Sequence, residues 1–305
     1  AGRMGSDGSS SRRMFAAGAT SSGVAAEPRG DVIVNDAMIA GQAQFIHPEK
    51  VYFYLPGVDD EALARLYGLG GGDYRAIRSR FDATARQAAG DLLADPGFAA
   101  RVDRLPFRAQ ATLAGIGDSF TDDLQSWLEI LRHVLALRRP QDQIQVVNAA
   151  VSARTSTDVL HYLMPTLGLR PDWIFCLAGG NDAKRIGPEP TKTLVGIAET
   201  AANFDALRRL AAAQTEAKWV WITPATVDET RIASFPGFQQ GQSKWRNADL
   251  LAIGDEIRSR PEPVVDLQSR FGNPPRPDLL GPDGLHPSLA GQQEITRAVV
   301  ERLTT

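Results

Sequence analysis

Cysteine is almost absent from this sequence: Cys176 is the single one in 305 residues. One thiol forms no intramolecular disulfide framework and supplies no cysteine-based zinc site. It fits a reducing cytoplasm as well as a disulfide-free exported enzyme, and the reading leans to the cytoplasm. Long apolar runs are missing as well. None approaches the roughly 20 residues that a membrane helix needs, so no integral membrane segment is expected. Neither sign of charge is in excess, because 33 Lys and Arg stand against 36 Asp and Glu, a net charge of −3. That balance excludes nucleic-acid binding driven by global charge. Histidine is scarce, with four in the chain. His47, His133 and His161 have no companions at metal-ligand spacing, and neither a metal nor a cofactor is called for.

What is present is an ordinary globular balance, 43% apolar and 23% charged. The length allows one large domain, or one of ordinary size with an added piece. Residues 1–27 open with AGRMGSDGSSSR and read as a disordered leader or an expression remnant. Within them, residues 14–26 follow Arg12 and Arg13 and end in small residues, as a signal peptide would. They hold too little Leu, Ile and Val for its apolar stretch. Residues 28–110 read as a helical N-terminal extension. Leu63, Leu66 and Tyr67, then Ile77, Phe81 and Ala85, recur at spacings of three and four. Gly70-Gly71-Gly72 separates two helices there, Pro96-Gly97 closes the second, and a short third helix follows.

From residue 111 the pattern alternates. Short apolar runs at 111–116, 143–147, 173–177, 219–222 and 264–267 read as strands. Helical spacing marks 124–137, 157–167, 191–213, 247–258 and 288–303. This alternation predicts an α/β fold, a five-stranded parallel sheet covered by helices on both faces. In such sheets ligands sit beyond the carboxyl ends of the strands. Residues 225–242 and 272–281 carry no clear element and are expected to border the site as loops.

The first strand runs into Gly117-Asp118-Ser119, with a helix just after. A serine there sits on the ligand side of the sheet, and its own N–H lies at a helix N-terminus that favours an anion. Taken alone, Asp-Ser is an ordinary helix cap. A dinucleotide fingerprint fails at the same turn, because Phe120 stands where a third glycine is needed, and no G-K-[ST] exists in the chain. The second strand leads into the segment from Asn148 to Ala153, and the third into Gly179-Gly180-Asn181-Asp182. An asparagine amide is a donor suited to developing negative charge, although this sequence alone also makes a tight turn. Asp283 and His286 stand three apart before the last helix. That spacing lets the carboxylate take one imidazole nitrogen and leave the other free for a serine proton. Arg154 faces either the site or solvent. Arg138-Arg139 reads as a positively charged helix end.

Nucleophile, base, orienter and oxyanion donor thus fall on one sheet edge. With these blocks in this order, the chain resembles the SGNH, or GDSL-type, serine hydrolases over about residues 111–305. The resemblance implies a three-layer α/β/α flavodoxin-like core and a serine ester hydrolase acting on a small-molecule ester. Ser119 would be the nucleophile, His286 the base and Asp283 its orienter. The N–H groups of Ser119 and Ala153 and the Asn181 side chain would form the oxyanion hole. Asp118 would hold the loop. Ala153 stands where the family usually has glycine, which raises the question of whether alanine adopts the required backbone angle. Acyl transfer and thioester cleavage use the same triad and stay open as alternatives. A non-catalytic binding protein on this fold is a third.

Overall fold

The computed structural model describes residues 36–187 and 189–305. The leader assigned to residues 1–27 lies outside them, and so does the signal-peptide comparison made for residues 14–26. Among the described residues eight strands form: β1 (Thr112–Gly117), β2 (Gln145–Asn148), β3 (Trp173–Leu177), β4 (Arg185–Ile186), β5 (Glu189–Thr193), β6 (Lys218–Ile222), β7 (Ser243–Lys244) and β8 (Val264–Val265). Five of them make one parallel sheet in the order β2-β1-β3-β6-β8. Their apolar runs follow from cover on both faces: every residue of β3 is buried, and in β6 only Lys218 is exposed.

Helices cover the sheet in two groups. Gly71–Leu93 packs on Trp127–Arg138, which packs on Leu289–Leu303. Ile197–Gln214 packs on Ser156–His161 and Asn247–Arg258. Trp127, Phe175, Phe204 and Trp221 are fully enclosed between these layers. Burial of each Phe side chain is worth about 1.5–3 kcal/mol. The helices Gly71–Leu93 and Pro96–Asp103 bring Ala85, Leu92, Phe98 and Val102 into the same core as the sheet. Residues 36–305 form one compact unit.

The structure corrects four local expectations. Residues 225–242 are not a plain loop: they hold the short helices Glu229–Ser234, capped by Asp228, and Pro236–Gln240, with proline in its first turn. Residues 191–213 are not one helix. Glu189–Thr193 is a strand of a small antiparallel sheet, order β5-β4-β7, and the helix begins at Ile197 behind the N-cap Gly196. Thr191 and Thr193 are β-branched and the stretch is largely exposed, which suits a short edge strand better than a helix turn. Residues 157–167 divide at Tyr162 into two helices. Gly71 and Gly72 belong to the first turn of their helix, with Gly70 as its cap. Two helices not expected from the sequence, Asp36–Phe45 and Pro48–Val51, precede these.

Candidate active site

β1 and β3 are neighbours, paired Gly117 to Leu177 at their carboxyl ends. The chain leaves β1 for β2 on one side and returns to β3 on the other, the switch point at which open α/β sheets make their crevice. At Gly117, φ is 141°, and an added Cβ would stand 1.8 Å from the Leu177 carbonyl oxygen. Only glycine permits this close approach, which sets the next residues at the mouth of the crevice. Asp118 then caps the short helix Ser119–Asp122, its Oδ1 accepting from Phe120 N–H at 3.2 Å.

The sequence elements brought together here lie 167 residues apart. His286 Nε2 stands 2.9 Å from Ser119 Oγ. His286 Nδ1 stands 2.5 Å from Asp283 Oδ2. A carboxylate only accepts, so Nδ1 carries the proton and Nε2 is free to accept from the serine hydroxyl. Asp283 Oδ1 in turn accepts from the N–H groups of Leu285 and His286, each at 2.9 Å, which fixes the carboxylate plane. Phe45 lies against the imidazole, ring centroids 4.8 Å apart.

The electrostatics follow from burial and neighbours. Burial works against a charged His286, but the hydrogen bond and charge of Asp283, with the charges of Asp123 and Asp118, outweigh it and hold the imidazole above its ordinary 6.5. Burial works against a charged Asp283 too, and the hydrogen bond and charge of His286 with the two backbone N–H groups bring it below the usual carboxylate range. Burial pushes Asp118 up to about 7 and Asp123 up to about 6.

The other site residues take their places around this line. Ala153 sits in the left-handed region at φ 65°, so the alanine does adopt the angle that favours glycine. Among the described residues neither its N–H nor that of Ser119 has a hydrogen-bond partner. Asn181 Nδ2 donates to the Arg154 carbonyl at 3.1 Å. One amide hydrogen is used there and the other is left over. Gly179, at φ 101°, lets the chain turn beneath Asn181 where a side chain would strike Ile253 and Phe204. Ser119 and Asn181 line one apolar pocket with Trp245 and Leu250. Trp245 is anchored by its Nε1–H on the Gly180 carbonyl at 3.0 Å.

Remaining candidates fall elsewhere. Asn148 ties the loop after β1, donating to the Thr121 carbonyl at 2.6 Å and to Glu129 at 3.1 Å. Arg154 places its guanidinium 4.0 Å from the Tyr162 ring centroid. Cys176 is buried within β3, where burial pushes its thiol far up. His133 meets Asp82, and His161 lies edge-on to Tyr162. Arg138 pairs with Asp103. Among the described residues no group of three or more His, Cys, Asp or Glu is placed to hold a metal ion, and no helix is long and apolar enough to cross a membrane. Sequence reasoning missed Asp122 and the N-terminal residues that meet it. The one available signal was a pair of adjacent carboxylates, Asp122-Asp123, beginning three residues after the serine in a stretch otherwise destined for burial.

Residues 116–294 match the GDSL-like lipase/acylhydrolase family. No curated protein matches the chain. Among solved structures, the chain is similar to LAE5, an alpha/beta hydrolase enzyme from the metagenome of Lake Arreo, Spain. Identity is 24%, coverage 65% of this chain and 96% of that one, and the TM-score 0.52. It is similar also to a catalytic mutant of Axe2, an acetylxylan esterase from Geobacillus stearothermophilus, at 18% identity, 66% and 97% coverage and a TM-score of 0.52. At these identities the likeness is one of fold.

Proposed function

The chain belongs to the GDSL-like lipase/acylhydrolase family, and from that premise we propose that it hydrolyses a carboxylic ester of a short acyl group, acetyl first, through an acyl-enzyme on Ser119. The observation that carries this reading is the hydrogen-bonded line from Ser119 Oγ through His286 to Asp283. Ser119 Oγ attacks the ester carbonyl as its proton passes to His286 Nε2. Asp283 stays ionised and stabilises the imidazolium. The tetrahedral oxyanion is met by the N–H groups of Ser119 and Ala153 and the spare amide hydrogen of Asn181. The bond to the alcohol oxygen breaks, and His286 gives its proton to that oxygen. Water then loses a proton to His286 and attacks the acyl carbon, and Ser119 departs with the proton.

The pocket beside Ser119 supports a short acyl group. It is walled by the apolar side chains of Leu177, Trp245, Leu250 and Leu285, and a long chain would have to displace the anchored Trp245. The test is a panel of p-nitrophenyl acetate, butyrate and octanoate with acetylated xylan added, because Axe2, similar in fold, is an acetylxylan esterase. Acetate is expected to turn over fastest, with Ser119→Ala abolishing both turnover and labelling by a fluorophosphonate probe. A preference for octanoate overturns the short-acyl assignment. Labelling that survives Ser119→Ala moves the nucleophile elsewhere.

A further inference from the structure

We propose that Asp122, gripped by His47 and Lys50 of the N-terminal segment, is a positioning residue for the oxyanion donor at Ala153. The inference rests on the reading of Ser119 as nucleophile and extends it to residues before β1. Asp122 is fully buried, three residues after Ser119. Its Oδ1 accepts from His47 Nδ1 at 2.7 Å and from Lys50 Nζ at 2.5 Å. Its Oδ2 accepts from the N–H of Ser152 at 2.7 Å. Lys50 Nζ also donates to the Ala150 carbonyl at 3.1 Å.

These bonds grip the turn on which Ala153 stands. An L-residue at φ 65° stays there only when its surroundings hold it. The turn is tied at Ala150 by Lys50, at Val151 by the Gly117 carbonyl, at Ser152 by Asp122 and at Arg154 by Asn181. Ala150 N–H also donates to Asn148 Oδ1 at 3.3 Å and Arg154 N–H to the Val151 carbonyl at 3.4 Å, so two of six ties run through Asp122 and the segment that meets it. Burial works against an ionised Asp122, but the hydrogen bond and charge of His47 and the charge of Lys50 outweigh it. The carboxylate remains an acceptor for Ser152. His47 Nε2 is enclosed without a partner among the described residues, so this imidazole is committed to Asp122 through Nδ1 alone. An oxyanion donor works only when its N–H is preset toward the place where charge develops. Displacement of such a group by about 1 Å costs on the order of 100-fold in rate.

The test uses the full chain carrying Lys50→Met or Asp122→Asn, with Lys50→Arg as the conservative comparison. Each is assayed on p-nitrophenyl acetate beside the parent and Ser119→Ala, with thermal melting and amide exchange across residues 150–154. For Lys50→Met and Asp122→Asn, kcat is expected to fall about 10- to 100-fold while KM stays within about threefold. Exchange across the turn should quicken, and Lys50→Arg should recover most of the rate. Unchanged kcat and exchange in folded Lys50→Met, or a loss confined to KM, overturns the proposal. If Asp122→Asn does not fold, Lys50→Met decides, since its side chain is 22% exposed. A parent without Ser119-dependent turnover refutes the hydrolase reading instead. In that case the exchange data still decide whether this cluster holds the turn.

Discussion

Ala153 carries a methyl group at φ 65°, where the family pattern has glycine. Left-handed backbone costs an L-residue about 1–2 kcal/mol. Glycine removes that cost but loses about 0.5–1 kcal/mol through the greater freedom of the unfolded chain. Ala153→Gly is therefore expected to stabilise the protein by about 0.5–1 kcal/mol, read from the midpoint of urea unfolding. A loss of stability would show that the methyl group is packed rather than strained. The second residue-scale expectation concerns His286, whose pKa is raised above 6.5. Proton abstraction needs the neutral imidazole, so kcat/KM should rise with pH through a midpoint above 6.5. The stability that the raised pKa contributes has the opposite course: it is complete below the unfolded value and is lost as pH rises through the folded one. In Asp283→Asn the largest raising influence is gone, so the kinetic midpoint should move down and kcat should fall by roughly 10⁴-fold. A midpoint that stays in place would remove Asp283 from its role.

At the scale of elements, what the sequence makes legible follows from which forces are local. The five parallel strands are visible because burial on both faces demands unbroken apolar runs, as in Trp173–Leu177. The blocks around Ser119, Asn181, Asp283 and His286 are visible because each lies where a strand or loop delivers it to the carboxyl edge. Glu189–Thr193 is hidden, since a short, exposed strand has only its pairing with Arg185–Ile186 to define it. The helix Asp36–Phe45 is hidden for a related reason: its sequence, DAMIAGQAQF, is apolar without a marked face. The grip of His47 on Asp122 spans 75 residues in sequence. No local pattern announces such a contact, because the partner of His47 is a carboxylate on a distant element. The angle at Ala153 is legible in the sequence only as a departure from the family pattern; its physical content is the left-handed φ of 65°.

At the scale of the whole molecule, the N-terminal helices belong to the same packed interior as the sheet. Leu92, Phe98, Val102, Leu105 and Phe107 are buried in it. At about 1.5–3 kcal/mol for each such side chain, these five rival the entire stability of a typical domain, about 5–15 kcal/mol. Deleting residues 1–108 is therefore expected to abolish cooperative thermal unfolding and leave an aggregating chain. A truncated protein that melts cooperatively near the parent temperature would show that the remaining core closes by itself. The order of the site along the chain has a consequence for biosynthesis. Phe45, His47 and Lys50 come before β1, Ser119 follows it, and Asp283 and His286 arrive just ahead of the final helix, Leu289–Leu303. Domains emerge amino end first during translation. On the proposed roles, a nascent chain displays its serine long before it owns a base to activate it. Acyl chemistry is thereby withheld until Asp283 and His286 have been made.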